Sequence, residues 1–179
     1  MLKKILLALV VILVVGGGGL VAYASTKPDS FAVTRVIDIK ATPQRIMLCI
    51  ENFQRWRDWS PYETKDPDME RIYSGPAAGP GATYEWNGDG NVGQGRMEII
   101  AQEPARKVSI KLNFLRPLEA ENMADFTLEP QGEMTRVTWA MTGPATLTTK
   151  IMDVIFNMDR MIGADFETGL ANLKDVTEG

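Results

Sequence analysis

The sequence predicts an α+β domain that follows an apolar N-terminal helix. Three features predict it: an uncharged run near the N-terminus, several segments in which apolar and polar residues alternate, and a long C-terminal segment whose apolar residues recur at helical spacing. Alternation is typical of antiparallel strands with one buried face, and a series of strands closed by a helix is typical of the α+β class. With 179 residues, 45% of them hydrophobic, the chain can fill one such core.

Residues 1–24 are predicted to be a membrane anchor. Lys3 and Lys4 precede an uncharged stretch from Ile5 to Ala24, and about 20 apolar residues are enough for a helix to cross a bilayer. Basic residues before such a helix favour a cytoplasmic N-terminus. We therefore expect a single-pass protein of the bacterial inner membrane whose domain faces the periplasm or the exterior. The alternative is a signal peptide, because the small residues before Ser25 fit a cleavage site.

Residues 25–30 are interpreted as a linker, and residues 31–179 as one domain. The domain begins with a predicted strand from Phe31, where apolar residues recur at alternate positions. A short helix follows, since Thr42 is suited to its N-cap and Pro43 to its first position, where the missing N–H costs nothing.

A series of antiparallel strands is predicted for the middle of the domain. Alternation is clearest from Lys107 to Phe114, and glycine-rich turns separate the segments. The predicted strands are residues 82–86, 96–102, 107–114, 122–128 and 135–141.

One long helix is predicted from about Thr146 to Lys174. Its apolar stripe is too wide for a simple surface helix, so we expect the sheet to curve around it. A curved sheet around a helix tends to leave a space between the two, and this space is the candidate functional site. The stripe contains Ile151, Ile155, Met158, Ile162, Phe166 and Leu173.

Composition excludes several classes of function. The chain has no histidine, the commonest general base near neutral pH, and its one cysteine leaves no Ser-His-Asp, Cys-His or zinc site. A formal net charge of −4 without a basic run argues against binding to nucleic acid. We expect no metal and no cofactor, and we assign no catalytic residue.

Five segments of the domain carry a family resemblance: "NFQRWRDWSPYETKDP", "YSGPAAGPGATYEWNG", "GQGRMEI", "TRVTWAMTG" and "MIGADFETGLANLK". Together they resemble the START-like helix-grip superfamily, in the membrane-anchored bacterial type of its polyketide cyclase/dehydrase (SRPBCC) branch. The resemblance covers roughly Phe31 to Lys174. It implies a helix-grip fold, in which a curved seven-stranded antiparallel sheet surrounds a long C-terminal helix and encloses a pocket for an apolar or amphipathic small molecule. It implies no single activity.

The first of these segments contains Trp56 and Trp59, two of only four tryptophans. They lie on one side of a helical turn, which ends where Ser60 precedes Pro61. We interpret both as core packing at one end of the sheet, with each indole N–H bonded to a partner. The alternative is that they form a wall of the pocket.

Two acids, Asp159 and Asp165, fall within the apolar stripe of the long helix. A carboxylate in such a position is desolvated, so it is either paired or raised in pKa. We expect a buried pair with an inward arginine such as Arg35 or Arg96. The alternative is a polar contact with a ligand hydroxyl or amine.

The candidate ligand-binding residues are aromatic, apolar or isolated polar side chains predicted to line the cavity. They are Trp56, Trp59, Tyr73, Tyr84, Trp86, Phe114, Asn122, Phe126, Trp139, Met141, Met158, Ile162, Asp165 and Phe166.

Three functions fit this sequence. The first is a membrane-tethered module that binds a hydrophobic or amphipathic small molecule between the sheet and the C-terminal helix. The second is a cyclase/dehydratase-type enzyme for an apolar substrate, in which Tyr84, Asp165 or Glu98 moves protons. The third is an envelope interaction module without a cavity. A filled interior would favour the third, whereas an enzyme needs an unneutralised carboxylate or phenol in an open space.

Overall fold

The computed structural model describes residues 2–179, except for the side chains of residues 2, 5 and 7–13. Its helices are α1 (Leu2–Ser25), α2 (Pro43–Ile50), α3 (Pro61–Lys65), α4 (Leu147–Phe156) and α5 (Met158–Glu178), with a 3₁₀ helix, η1, at Phe53–Asp58. Its strands are β1 (Ser30–Ile39), β2 (Glu70–Ser74), β3 (Thr83–Asn87), β4 (Gln94–Glu103), β5 (Lys107–Arg116), β6 (Ala120–Gln131) and β7 (Met134–Pro144).

The seven strands form one curved antiparallel sheet in the order β1-β7-β6-β5-β4-β3-β2. This confirms the α+β class and the seven-stranded sheet with a C-terminal helix. The first and last strands of the chain pair along their length, from Ser30 opposite Pro144 to Ile39 opposite Thr135. In β4 the register shifts between Ile99 and Ala101, and such bulges bend and twist a strand.

Helix α5 lies beside β1 and packs on the inner face of the sheet. Near its start, Arg35 of β1 donates to the carboxylate of Asp159. Near its end, the Lys174 ammonium donates to the backbone oxygen of Asp38, and the Lys40 backbone N–H donates to the Glu178 carboxylate. The start of α5 is therefore close to the middle of β1, and its end lies beyond the last residue of that strand.

The predicted long helix from Thr146 to Lys174 is wrong in one respect, because the chain forms two helices that meet at Asn157. Asn157 has φ 53° and ψ 76°, a left-handed conformation that asparagine adopts more readily than most residues. Its side chain accepts from the Arg160 N–H at 3.0 Å and so caps α5. Apolar residues continue at helical spacing through this break, so periodicity does not reveal it.

The predicted helix after β1 is present as α2. Thr42 is its N-cap, with the hydroxyl oxygen accepting from the Arg45 N–H at 3.4 Å, and Pro43 is its first residue. Strand β2 is absent from the predicted strands, because five residues between turns are too few to show a clear period.

Helix α1 extends from Leu2 to Ser25, and its C-terminal part packs against α4. Within the described part of the chain, none of the helices combines the length and the hydropathy that a membrane span requires. The anchor prediction also draws on Met1, which lies outside the described residues, and on the run from Ile5, whose side chains are only partly described.

Candidate functional site

Trp56 of η1 and Trp59, the residue that follows η1, are core residues in this fold. The Trp56 indole N–H donates to the backbone oxygen of Ile50 at 2.9 Å, and that of Trp59 donates to the backbone oxygen of Cys49 at 3.1 Å. Both side chains are buried, and their ring centroids are 4.8 Å apart. Their burial and their bonded indole N–H groups agree with core packing, but both rings contact Phe126 and Trp139 in the middle of the sheet rather than at one end.

An aromatic stack occupies the space where a ligand was expected beneath α5. Phe166 of α5 stacks on Trp139 of β7 with ring centroids 3.9 Å apart, and Trp139 stacks on Phe126 of β6 at 4.8 Å. Trp59 contacts Phe126 and Trp139 edge to face. Four candidate residues, Trp59, Phe126, Trp139 and Phe166, thus pack on one another in the middle of the domain.

The inner face of the sheet is less covered at the end where β1 begins. Here Phe31 of β1, Trp86 of β3, and Leu112 and Phe114 of β5 are only half-buried, whereas Ile110, one inner position further along β5, is fully buried. Trp86 and Phe114 contact each other edge to face at 5.8 Å. We call these four side chains, together with Asn122 of β6, the open end of the inner face.

Asn122 is the polar member of the open end. Asn122 lies opposite Leu112 in the pairing of β5 with β6. Its side chain also lies over Gly143 of β7, where a β-carbon would overlap the Asn122 Oδ1 atom. This oxygen is buried and has no hydrogen-bond partner among the described residues. A buried amide oxygen without a partner costs free energy, and a donor supplied by a ligand would recover it.

Met158 and Ile162, in the first turns of α5, are half-buried rather than central to the interior. Met141 is buried in the core. The Trp86 indole N–H is occupied, because it donates to the backbone oxygen of Val92 at 3.0 Å. Phe31 and Leu112 were not among the candidate residues, although strand alternation already assigns both to the inner face.

Asp159 and Asp165 are both paired, but only Asp159 has an expected partner. Asp159 pairs with Arg35 at 3.2 Å, and Arg35 also bonds Glu167 at 2.6 Å. The predicted burial is wrong for Asp159, because 60% of its side chain is exposed. Asp165 pairs with Lys65 of α3 at 2.6 Å, so the expected arginine partner is wrong for this residue. The cause is that α3 lies across α5, which sequence spacing does not show.

Arg96, the other arginine considered, is exposed on the outer face of the sheet. It lies 3.6 Å from Glu85 and 3.5 Å from Glu98. Glu98 therefore also faces outward and has a cation beside it.

A buried polar cluster joins α3 to the edge of the sheet. Glu63 accepts from the Arg71 guanidinium at 2.7 Å and from the Tyr84 hydroxyl at 2.8 Å, and the side chains of Glu63 and Arg71 are only 5% and 9% exposed. Burial and the bond to Glu63 raise the pKa of Tyr84 above its usual range. Tyr84 is thus a neutral hydrogen-bond donor. No pattern in the sequence predicts that Glu63 and Arg71 are in contact.

Tyr73 stacks on Tyr84 with ring centroids 4.9 Å apart. Its hydroxyl is buried and has no partner within the described chain, and burial raises its pKa. Tyr73 lines an open cleft of about 180 Å³ between η1 and the β2–β3 hairpin. A second cleft, of about 240 Å³, is lined mainly by outward-facing residues of β2 to β5, including Asn113. Neither cleft is lined by α5.

The groups named for proton transfer are each partnered. Tyr84 donates to Glu63, Asp165 pairs with Lys65, and Glu98 lies beside Arg96. Across the described residues, no group of three or more His, Cys, Asp or Glu side chains is placed to hold a metal ion. The arrangement is therefore better suited to holding an apolar molecule than to general acid–base chemistry.

Comparison with known proteins supports the fold. A family model described as polyketide cyclase / dehydrase and lipid transport matches residues 30–178. No curated protein matches significantly. Among solved structures, protein CV1439 from Chromobacterium violaceum is 14% identical, with a TM-score of 0.59 over 86% of this chain and 99% of that one.

Two further structures have the same architecture. The di-domain ARO/CYC StfQ from the steffimycin biosynthetic pathway is 12% identical, with a TM-score of 0.65 over 83% of this chain, which spans about half (51%) of StfQ. The Aha1 dimer from Colwellia psychrerythraea is 18% identical, with a TM-score of 0.56 over 83% of this chain and 96% of that one. At these identities the likeness concerns the fold alone.

Proposed function

Because the chain belongs to the polyketide cyclase/dehydrase and lipid transport family, we propose that it is a membrane-tethered module that binds a hydrophobic or amphipathic small molecule. The observation that carries this proposal is the open end of the inner face. Four half-buried apolar side chains lie there together with one buried amide oxygen that has no partner among the described residues. A mostly apolar surface with few polar groups is typical of small-molecule sites.

The ligand is assigned to the open end rather than to the space beneath α5. Trp139 and Phe166 stack too closely to admit a molecule between them. At the open end, in contrast, an acyl chain or ring system would cover Phe31, Leu112 and Phe114, and each buried methylene contributes about 0.8 kcal/mol. A ligand hydroxyl or amide N–H would donate to Asn122 Oδ1.

The tether is assigned to α1. This helix contains 24 residues, and Lys3 and Lys4 are its only charged side chains. Leu6, Val14 and Val15 are exposed on it, and exposed apolar side chains favour an apolar environment. The lysines favour a cytoplasmic N-terminus. We therefore place the domain on the periplasmic or outer side of the membrane.

Native mass spectrometry of the full chain, extracted gently from its own membrane, tests ligand binding. We expect a co-purified small molecule that survives in Asn113→Leu but is reduced in Asn122→Leu. The two asparagines are a matched pair, since each has a buried Oδ1 without a partner in the described chain and they lie on opposite faces of the sheet. Loss of the co-purified molecule in Asn113→Leu but not in Asn122→Leu would assign the ligand to the outer cleft and contradict our proposal.

Protease treatment of cells with a permeabilised outer envelope tests the tether. We expect the domain to be digested while α1 stays with the membrane. A protected domain would contradict the orientation, and a mature N-terminus at Ser25 would show that the segment is a cleaved signal peptide.

An interaction module without a ligand is the second candidate, and the filled space beneath α5 favours it. Under this hypothesis the stack of Phe126, Trp139 and Phe166 is simply the core. The protein would then carry no small molecule at any position. Native mass spectrometry would detect no co-purified ligand in either the unchanged chain or Asn122→Leu, and this substitution would leave partner binding unchanged.

A further inference from the structure

Helix α4 presents its apolar side chains outward. Leu147, Ile151 and Ile155 are four residues apart and form one stripe, in which Leu147 and Ile155 are exposed. The exposed fraction is 56% for Ile155 and 59% for the neighbouring Phe156. In a soluble surface helix such residues face the core, so α4 has the opposite arrangement.

The charged side chains of α4 face the protein instead. Lys150 is buried and bonds Asp29 at 2.5 Å, and Asp153 bonds Lys27 at 2.7 Å. Asp153 also accepts from the Met158 N–H at 3.0 Å, which joins α4 to the start of α5. The polar face of α4 is therefore used to hold the segment between α1 and β1.

These ion pairs fix α4 beside the end of α1. Lys27 is two residues beyond the end of α1, and Asp29 is two residues before Phe31 of the open end. Met161, in the first turn of α5, is a further exposed apolar side chain after the break at Asn157. Helix α4 is thus tied to the segment that joins the proposed anchor to the first strand of the proposed ligand site.

We infer that the exposed apolar face of α4, defined by Leu147, Ile151, Ile155 and Phe156, docks on the bilayer surface beside the anchor. The inference rests on the proposed tether, because α1 is what holds α4 at the membrane. An amphipathic helix of this kind lies in the interface with its apolar face about 5–10 Å deep. The open end would then face the lipid, and its ligand would be a molecule that enters from the bilayer rather than from water.

Lipid-borne quenchers test the docking on the full chain in vesicles. A fluorescent label is attached to Ile155→Cys or Phe156→Cys, and the vesicles contain lipids with a nitroxide at a shallow acyl position. Native Cys49 is buried, so the introduced thiol is the accessible one. We expect loss of emission at both α4 positions, and no loss for Thr168→Cys, which is exposed on α5.

A label at Gly18→Cys separates failure of the docking from failure of the tether, because Gly18 has open space around it on α1. Quenching at residue 18 without quenching at 155 or 156 would overturn the docking and leave the tether intact. No quenching at residue 18 would overturn both. Ligand loss in Asn122→Leu is measured separately and depends on neither result.

A second set of variants tests the apolar face itself. Thr148 is exposed on the same side of α4, and a label at Thr148→Cys should lose its lipid quenching when Ile155→Asp and Phe156→Asp are added. The alternative is that a second copy of the chain covers this face. In that case the α4 labels are protected from aqueous iodide only at a high protein-to-lipid ratio, and iodide quenches them after dilution with empty lipid. This result would show that the bilayer docking is wrong.

Discussion

The guanidinium of Arg35 lies so close to Gly163 that a β-carbon at residue 163 would overlap it. This absence of a side chain lets Arg35 extend from β1 across α5 and bond Asp159 and Glu167 on the far side. The Arg35 guanidinium also donates to the backbone oxygen of Asp159 at 3.0 Å. One glycine therefore allows the first strand to hold the start of α5 in place.

Gly163→Ala is expected to destabilise the domain by about 1–3 kcal/mol, because the new methyl group displaces the Arg35 guanidinium from its partners. Urea unfolding of the detergent-solubilised chain measures this. In an Arg35→Ala background the same change should instead stabilise by about 1 kcal/mol, the usual helix preference for alanine over glycine. If Gly163→Ala changes the unfolding free energy equally with and without Arg35, the close approach of Arg35 to Gly163 does not contribute to stability.

Glu63→Gln is expected to cost about 3–5 kcal/mol, because it leaves the buried Arg71 guanidinium without its counter-charge. Glu85→Gln is the matched control, since Glu85 lies 3.6 Å from Arg96 and both side chains are 46% exposed. An exposed pair contributes less than about 1 kcal/mol. Similar losses of unfolding free energy for the two variants would contradict the assignment of the Glu63 cluster as a buried ion pair.

Phe166→Ala is expected to lower the unfolding free energy by about 3–5 kcal/mol, since it leaves a cavity against Trp139 in the aromatic stack. Phe156→Ala, on the exposed face of α4, should change it by less than about 0.5 kcal/mol in detergent. A small effect of Phe166→Ala would mean that the space beneath α5 collapses readily, and it would return that space to consideration as a ligand site.

The link between α4 and the segment before β1 is expected to weaken in acid. The hydrogen bond from Lys27 lowers the pKa of Asp153, and the bond from Lys150 lowers the pKa of Asp29. A carboxyl whose pKa is lower in the folded state adds stability above its unfolded pKa, about 3.9 for Asp, and this is lost as pH falls through the folded value. The Tm should therefore decrease as the pH is lowered below about 4. Asp153→Asn should make the Tm less dependent on pH in this range. An unchanged profile in Asp153→Asn would contradict the role of this pair.

Much of the fold follows from local patterns. Alternation in β5 and the cap at Thr42 identify a strand and a helix because both depend on neighbours in sequence. The break at Asn157 does not follow, since apolar spacing continues across it. The Asp165–Lys65 pair joins residues 100 positions apart, which no spacing rule addresses.

The site was predictable only in part for a similar reason. Strand alternation assigns Asn122, Phe114 and Trp86 to the inner face, where the structure places them. It does not show how far rings from η1 and α5 extend over that face. Trp59 and Phe166 fill the middle of the sheet and leave one end uncovered, and this depends on ring orientations that only the assembled fold determines.

If the chain is tethered as proposed, the pairing of β1 with β7 also limits how far the domain extends from the bilayer. Both the end of α1 and the start of α4 lie at the Ser30 end of this pair. Ten residues of extended strand measure roughly 33 Å, so in the proposed arrangement the turn after Ile39 and the C-terminal end of α5 would lie at most about that far from the lipid surface. A fluorescent protein or affinity handle fused after Gly179 would thus be well clear of the head groups, in reach of antibodies and large soluble proteins.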